Sequence, residues 1–250
     1  GLAPHGLPST AIALGDYDGD GAENLLVAGT GAGAGSPTVM YNMRAGYVAD
    51  VTERAGVAVP AGAVHANFAD VDNDGWLDLF VIDGDGRAQL MRNDRNGAFE
   101  NVTAASRLGD LAGARRALFV DLDHDGDLDL LLVGARPRVY RNNLDGTFTD
   151  VSEAMGLDAL GPIDDAAFAD FDDDGRVDLV VAGPNGSVAL LINTGFQRFR
   201  DATAARGIVA AVGPNARIAV ADYDNDGTFD LLVTGSSSIS LARNRGDGTF

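Results

Sequence analysis

Apolar and polar positions follow the same order five times along the chain. A short stretch of alternating apolar and small residues, such as Ala66 to Phe68, precedes each of five acidic segments, and a continuous apolar run, such as Leu130 to Leu132, follows it. Alternation with period two predicts a strand, and a short continuous apolar run predicts a strand buried on both faces. Each acidic segment is therefore predicted to connect two strands packed between neighbouring sheets.

Two further strands complete each repeat. A glycine-rich turn leads to a third strand that ends in an asparagine, at positions 42, 93, 142, 193 and 244. A second turn then leads to an aromatic residue and a short outer strand, as in residues 146–151. Asn and Gly between alternating runs are typical of hairpin turns. We therefore predict four antiparallel strands in each repeat.

The spacing of the repeats predicts the fold class. The acidic segments begin at residues 16, 70, 121, 170 and 222, so successive starts lie 54, 51, 49 and 52 residues apart. A period of about 40 to 50 residues with several strands per unit is typical of β-propeller blades. We predict an all-β propeller of four-stranded blades as a single module over residues 1–250, with repeats at about 1–55, 56–108, 109–156, 157–207 and 208–250. A β-sandwich with five acidic turns is the alternative.

The two ends of the chain bear on the fifth repeat. Phe250 stands where the outer strand of that repeat should begin, and Gly1 aligns with Gly156, just after an outer strand. We therefore expect a three-stranded last blade, which residues 1–8 do not complete. The start at Gly1, without Met or a signal-like segment, is expected of a mature or excised piece whose export signal, if any, has been removed.

Composition excludes several classes of partner. The formal charge is −19, and all 18 basic residues are Arg. Such an acidic chain has little to hold a phosphate backbone, so we expect no nucleic-acid partner. No apolar run is long enough to span a bilayer, and direct membrane insertion is not expected. The absence of cysteine excludes disulfides and thiolate metal sites.

The acidic segments have the chemistry of a metal loop. In residues 121–129, side chains one, three and five point inward, Gly126 permits a tight turn, and Asp129 closes the cage. Hard oxygen ligands with flexible spacing suit calcium better than magnesium or zinc. Five divalent ions would move the formal charge from −19 to −9, so folding and metal binding should be coupled. Such open sites would fill where calcium is about millimolar, which predicts an extracellular, cell-surface or periplasmic location.

The D-x-D-x-D-G-x-x-D-L pattern of repeats two to five and the N-x-x-G-x-F turn, as in Asn142 to Phe148, resemble the FG-GAP/VCBS repeats of integrin α-subunits and bacterial surface and secreted proteins. The resemblance implies a structural Ca²⁺ in each hairpin, held by side chains one, three, five and nine and by the carbonyl of residue seven. Relatives usually close with seven blades, so the five blades form either a five-bladed ring or a segment of a larger one.

The implied ligands follow residue by residue. They are Asp16, Asp18, Asp20, Ala22 and Asn24; Asp70, Asp72, Asp74, Trp76 and Asp78; Asp121, Asp123, Asp125, Asp127 and Asp129; Asp170, Asp172, Asp174, Arg176 and Asp178; and Asp222, Asp224, Asp226, Thr228 and Asp230. The first repeat departs from the pattern because Asn24 replaces the ninth acid. We expect about one Ca²⁺ per repeat and the weakest binding in the first.

The face opposite the metal loops is the candidate partner surface. Its loops vary freely, and we predict that they carry Arg87, Arg115, Arg116, Arg136 and Arg138, which could clamp a carboxylate or an acidic glycan. The simpler interpretation is that these arginines are solvent-exposed charges on loops and have no partner role. Arg245-Gly246-Asp247 is interpreted as turn filler, and His5 and His65 as exposed loop histidines.

No nucleophile motif or phosphate-binding loop occurs, and the paired carboxylates belong to metal loops. We therefore predict a non-catalytic, calcium-binding propeller that serves as an extracytoplasmic binding, adhesion or protein-interaction scaffold for a protein or glycan ligand. A lectin-like carbohydrate-binding propeller is the first alternative, and a hydrolase or lyase on the same scaffold is the second. The sequence leaves the oligomeric state open.

Overall fold

Five antiparallel sheets make up a computed structural model of the chain, in which residues 9–29, 39–44, 47–57, 62–108, 111–195, 198–208 and 211–250 are described. We number these sheets blades 1 to 5. Their strands are β1 (Ser9–Gly15), β2 (Asn24–Gly29), β3 (Val39–Arg44) and β4 (Tyr47–Asp50); β5 (Ala63–Ala69), β6 (Asp78–Asp83), β7 (Ala88–Asn93) and β8 (Phe99–Asn101); β9 (Ala114–Val120), β10 (Asp129–Gly134), β11 (Arg138–Asn142) and β12 (Phe148–Asp150); β13 (Asp165–Ala169), β14 (Asp178–Ala182), β15 (Val188–Asn193) and β16 (Phe199–Asp201); and β17 (Arg217–Ala221), β18 (Asp230–Thr234) and β19 (Ile239–Ala242).

Strands of each blade pair in chain order, so every blade is an antiparallel meander. In blade 4, Ala167 pairs with Val180, and Val180 pairs in turn with Leu190. Residues on such a row share one face of the sheet because successive side chains alternate between faces. The predicted all-β class and the four-stranded blades are confirmed for blades 1 to 4, as is the three-stranded blade 5. Residues 1–8 lie outside the described part of the chain.

Short helical turns follow two of the outer strands and were not predicted from the sequence. They are α1 (Thr52–Ala55) and α2 (Ser152–Met155), and a single 3-10 turn (Leu157–Ala159) follows α2. Gly56 and Gly156 end the two helices at φ of 63° and 82°, a left-handed conformation that glycine adopts without strain. None of the described helices is long and apolar enough to cross a membrane.

Two compact units divide the chain, Gly1–Phe119 with Arg141–Thr149 and Val120–Tyr140 with Asp150–Phe250. In the first unit, Tyr17 and Leu26 of blade 1 pack in one buried cluster with Leu79 and Val81 of blade 2. The second unit has a corresponding cluster, in which Phe171, Val180 and Leu190 of blade 4 pack with Leu231 and Val233 of blade 5. Burial of apolar area in these contacts between adjacent blades is the main stabilising term within each unit.

The predicted burial of the first two strands on both faces is wrong for blades 1 and 5. Ile12 and Leu14 of β1 are exposed, and so is Leu232 of β18, although the equivalent apolar positions in blades 2 to 4 are buried or half-buried. An apolar run indicates that a strand fits between two neighbours, but it does not show that both neighbours are present.

Candidate metal centres

A nine-residue acidic loop connects the first and second strands of every blade, and its backbone is left-handed at two positions. The sixth residue is always glycine, with φ between 82° and 94°. The fourth residue also has positive φ, from 54° to 65°; it is Gly19, Asn73, His124, Asp173 or Asn225. Gly, Asn and Asp tolerate this conformation best, so the fourth position is constrained by its backbone even though its side chain varies.

Hydrogen bonds from backbone N–H groups to the acids fold each loop in the same way. In blade 4, Asp170 accepts bonds from the N–H groups of Asp174 (3.1 Å) and Gly175 (2.8 Å), and Asp174 accepts one from Arg176 (2.9 Å). Asp178 closes the loop by accepting a bond from the N–H of Phe171 (3.1 Å). These bonds engage some of the carboxylate oxygens of the loop. Other carboxylate oxygens of the same loop point towards one another.

Three carboxylates in each loop bring one oxygen apiece within 4.8 Å of the others. The groups are Asp16, Asp18 and Asp20; Asp70, Asp72 and Asp78; Asp121, Asp123 and Asp125; Asp170, Asp172 and Asp178; and Asp222, Asp224 and Asp230. The structure thus clusters positions one and three in every blade, with position nine in blades 2, 4 and 5 and position five in blades 1 and 3. The full ligand sets, including the carbonyls of Ala22, Trp76, Asp127, Arg176 and Thr228, remain predictions.

Unpartnered oxygens at these clusters fit a cation. Oδ1 of Asp18, Asp72, Asp121 and Asp172 is buried and has no hydrogen-bond partner. A buried carboxylate oxygen without a partner is costly, and several of them converging on one point repel each other. A hard divalent cation would coordinate the unpartnered oxygens and offset their mutual repulsion. The donor set at these clusters suits such an ion because it contains only oxygen.

Arginine side chains contact the loop carboxylates from outside three of the clusters. Nε of Arg95 lies 2.6 Å from Oδ2 of Asp74, and Nη2 of Arg206 lies 2.7 Å from Oδ2 of Asp172. Arg243 contacts Oδ2 of Asp224 at 2.6 Å and Oδ2 of Asp226 at 3.0 Å. Arg176 also contacts Asp174 within its own loop. In loops 2, 4 and 5 a guanidinium therefore engages the fifth-position carboxylate, which does not join the three-acid group there.

Burial strongly perturbs the ninth-position acids of blades 2 and 4. It raises the pKa of Asp78 and of Asp178 from 3.8 to about 7, although each accepts two backbone N–H bonds that oppose this shift. Burial raises the pKa of the third-position acids Asp72 and Asp172 as well, and the neighbouring acids add to it. Ionising these loops without a cation is therefore unfavourable in the folded chain.

We expect the metal-free chain to lose stability as the pH rises from 5 to 7. A group whose pKa is raised by folding stabilises the folded state fully below its unfolded pKa of 3.8 and loses this effect as the pH passes its folded value of about 7. At roughly 1.4 kcal/mol per pH unit, Asp78 and Asp178 would each cost about 2 kcal/mol over this interval. Urea unfolding in calcium-free buffer measures the change.

The variant Asp178→Asn serves as the control because it removes one titrating group and should flatten the pH dependence. His65 opposes the trend, since burial lowers its pKa from 6.5, but its effect ends near pH 6.5. Constant or rising metal-free stability between pH 5 and 7 would contradict the expected effect of these acids.

The asparagine at the end of the third strand joins adjacent blades, a role that sequence reasoning missed. Nδ2 of Asn93 donates to the carbonyl of Tyr17 (2.7 Å), the second residue of the loop in blade 1, and its N–H donates to Asp78 (2.8 Å). Nδ2 of Asn244 donates in the same way to Phe171 (2.8 Å). In blades 2 to 5 this asparagine, which we call the blade latch, donates to a backbone carbonyl in the loop of the preceding blade. The recurrence of this asparagine in all five repeats was the sequence feature that could have indicated a structural role.

The structure corrects the placement of several other predicted residues. Arg115 and Arg116 lie within β9 and Arg138 begins β11, so only Arg87 and Arg136 lie in turns. Arg87 contacts Asp85 at 3.0 Å, and Arg138 contacts Asp158 at 3.4 Å.

The two predicted loop histidines and the Arg-Gly-Asp tripeptide have different outcomes. His65 is half-buried in β5, where its Nε2 lies 3.1 Å from the carbonyl of Ala117; the prediction of an exposed loop histidine is wrong. The Arg245-Gly246-Asp247 tripeptide lies in a turn closed by the bond from the N–H of Arg245 to the carbonyl of Thr249 (2.9 Å), as predicted. His5 lies outside the described residues.

The repeated four-stranded meander with an acidic hairpin loop in each blade defines a repeat protein of the β-propeller class. A model of the FG-GAP-like repeat matches residues 16–81, 70–132, 133–181 and 170–233, which together span most of the chain. The chain belongs to this FG-GAP-like repeat family, which confirms the resemblance of its motifs. No curated protein matches the sequence.

Solved structures of other proteins share the fold. A lectin from Agrocybe aegerita, described as specifically recognising non-reducing terminal N-acetylglucosamine, is 22% identical with a TM-score of 0.62, over 98% of this chain and 65% of the lectin. The biofilm matrix protein Bap1 from V. cholerae is 15% identical with a TM-score of 0.55, over 97% of this chain and 38% of its own. This chain thus spans less than two thirds of either neighbour, and these likenesses show the fold alone.

Proposed function

We propose that the chain is a non-catalytic, calcium-binding β-propeller module that acts as a binding scaffold outside the cytoplasm. The observation that carries the proposal is the group of buried, unpartnered Oδ1 atoms on Asp18, Asp72, Asp121 and Asp172, each within a three-carboxylate cluster. Hydrogen bonds inside the loops engage other carboxylate oxygens, such as Oδ1 of Asp16, Asp70 and Asp170, but not these. A structural ion is the simplest partner for them.

Calcium would be held by the acids at positions one, three, five and nine and would neutralise charge between two paired strands. In blade 4 the ion would also offset the burial and, to a lesser extent, the carboxylate repulsion that raise the pKa of Asp172 and Asp178. Arg206 and Arg95 would then compete with the ion for Asp172 and Asp74 or shift to other acceptors. The loops would therefore exchange a weak internal counter-ion for a stronger one.

Asparagine at the ninth position of the first loop allows a direct test. Oδ1 of Asn24 accepts the N–H of Tyr17 (3.1 Å), as the ninth acid does elsewhere, but its buried Nδ2 has no partner. We expect Asn24→Asp to raise calcium affinity at this loop by about tenfold or more and to destabilise the calcium-free chain, because a fourth carboxylate joins Asp16, Asp18 and Asp20. Calorimetric titration with calcium and urea unfolding in chelator measure the two effects.

A matched control is Glu23→Gln, which changes the charge of the neighbouring exposed side chain and should leave both quantities nearly unchanged. If Asn24→Asp lowers calcium-free stability without strengthening calcium binding, position nine is only a structural acceptor and the proposed ligand set is wrong. If neither the parent chain nor the variant binds calcium, the proposed function fails.

A location outside the cytoplasm follows from the proposed ion supply, since open loops of this type fill where calcium is about millimolar. The proposed partner is a protein or glycan on the face opposite the metal loops, with arginines such as Arg136 and Arg138 as its charged groups. Guanidinium groups suit carboxylate recognition.

Lectin-like glycan binding is the second candidate function, favoured by the fold shared with the Agrocybe aegerita lectin. A glycan array probed with the calcium-loaded chain separates the two. Saturable binding to one sugar class would establish the lectin function, whereas an empty array with selective retention of a protein ligand would favour the scaffold.

A further inference from the structure

The second residue of each loop is hydrogen-bonded to the ninth-position acid of the same loop in blades 2 to 5. In loop 3 the N–H of Leu122 donates to Oδ2 of Asp129 (3.3 Å), and in loop 4 the N–H of Phe171 donates to Oδ2 of Asp178 (3.1 Å). Both apolar residues are buried. The backbone of the second residue is therefore fixed to an acid that is an expected calcium ligand.

The blade latch connects two such pairs across adjacent blades. The backbone N–H of Asn193 donates to Oδ1 of Asp178 in loop 4 (2.8 Å), and its Nδ2 donates to the carbonyl of Leu122 in loop 3 (3.2 Å). Because the N–H of Leu122 holds Asp129, a single asparagine lies between the ninth-position acids of two loops.

Asn244 makes the same two contacts one blade further along the chain. Its N–H donates to Oδ1 of Asp230 (2.8 Å), and its Nδ2 donates to the carbonyl of Phe171 (2.8 Å). The two latches thus complete one continuous series of hydrogen-bonded residues within the second unit, which we call the latch chain. Its members, each between 0% and 4% exposed, are in order Asp129, Leu122, Asn193, Asp178, Phe171, Asn244 and Asp230.

An ion in one loop would bias the whole latch chain. Without an ion, converging oxygens such as the buried, unpartnered Oδ1 of Asp172 favour separation of the acids of loop 4, including Asp178. Separation would withdraw an acceptor from Asn193 and release the carbonyl of Leu122. An ion that holds Asp178 in place keeps Asn193 in place as well, so part of the ordering of loop 3 is complete before its own ion binds.

We propose that the blade latches couple the calcium sites of loops 3, 4 and 5, so that an ion in one loop raises the calcium affinity of the loops beside it. This inference rests on the proposed calcium function. Asn193 and Asn244 act as positioning residues, since each holds groups of two loops through the bonds given above. Repulsion between neighbouring ions opposes the coupling, but salt weakens that repulsion and does not reach the buried hydrogen bonds.

Backbone amide signals of the sixth-position glycines give each loop its own reporter in NMR spectra. The N–H groups of Gly126, Gly175 and Gly227 donate to the first acid of loops 3, 4 and 5, at 3.1, 2.8 and 2.9 Å. Each signal should therefore shift with the occupancy of its own loop. A calcium titration in about 0.15 M salt gives one midpoint for each loop.

The test disables loop 4 and follows its two neighbours. Asp172→Asn should raise the calcium midpoints of loops 3 and 5 about fivefold or more, and Asp173→Asn, the same change at an exposed residue, should leave them unchanged. When Asn193→Ala is also present, Asp172→Asn should still raise the midpoint of loop 5 but no longer that of loop 3. Asn244→Ala should give the reverse pattern, so one folded latch variant suffices. Circular dichroism checks that the variant keeps its strands.

The possible failures of the coupling and of the calcium function have different signatures. Loops that fill with calcium at midpoints unaffected by Asp172→Asn would overturn the coupling and leave the proposed function intact. A shift at loop 3 that persists in Asn193→Ala would also overturn the proposal, because the loops would then influence each other without the latch. If no glycine signal of the parent chain responds to calcium, the proposed function and the coupling both fail.

Discussion

Millimolar calcium is expected to raise the midpoint of thermal unfolding of the chain by about 10–20 °C, and chelation to reverse the shift. A site filled at 100 times its dissociation constant contributes about 2.7 kcal/mol, so two such sites give roughly 5 kcal/mol. For chains of this length, 1 kcal/mol corresponds to about 2–4 °C. The physical reason is that the ion binds only when a folded loop gathers its carboxylates. Differential scanning calorimetry in calcium, magnesium and chelator measures the effect.

Two neighbouring substitutions in loop 4 make the test specific. Asp172→Asn removes a carboxylate whose Oδ1 is buried without a partner, and should reduce calcium stabilisation by about 2–3 kcal/mol through loss of this site. Asp173→Asn makes the same chemical change at an exposed residue with a φ of 57°, where Asn stands naturally in loops 2 and 5. It should respond to calcium like the parent chain. Equal behaviour of the two variants would remove the basis for calcium at this loop.

Replacing the blade latch Asn193 by Ala is expected to destabilise the folded chain by about 3 kcal/mol. Asn193 is 3% exposed, and its Nδ2 donates to the carbonyls of Leu122 and Val177, each at 3.2 Å. Its Oδ1 accepts the N–H of Gly195 at 3.1 Å. Removing the side chain leaves three backbone groups to find other partners, and buried groups without one cost about 1–3 kcal/mol each. Urea unfolding gives the free energy directly.

The isosteric change Asn193→Asp separates hydrogen bonding from packing. It opens no cavity but cannot donate to the two carbonyls when ionised, and it places a charge beside Asp178, so the loss should be at least as large as for Ala. Asn143→Ala is the matched control: Asn143 is exposed in a hairpin turn and bonds only locally to Thr147 and Thr149. It should cost about 1 kcal/mol or less. Comparable losses at both asparagines would mean that the latch does not join the blades.

The local structure of each repeat could be predicted from the sequence because it depends on short-range chemistry. Alternation before the loop, the apolar run after it and the Asn-Gly turns predicted the first three strands, and their bounds lie close to the observed β13, β14 and β15 of blade 4. Period and acid spacing together predicted the family and the clustering of positions one and three, since side chains two residues apart in a tight loop converge in any context.

Contacts between distant residues could not be read from the same patterns. Position five of loop 4 is engaged by Arg176 and position three by Arg206, which lies 34 residues further along the chain, and no local rule indicates which guanidinium reaches which carboxylate. The short helices α1 and α2 were missed because four residues are too few for a helical period to appear.

The repeat, its strands and the acids of its loops follow from the amino-acid pattern, because each of these depends on residues that lie within about fifty positions of one another. Which apolar faces are buried follows only from the packing of the blades, since Leu190 and Leu241 have the same chemistry at the same position of their repeats, and one is covered while the other is exposed. Burial depends on the presence of a neighbouring blade, and that is a property of the assembled sheets and not of the strand that carries the leucine.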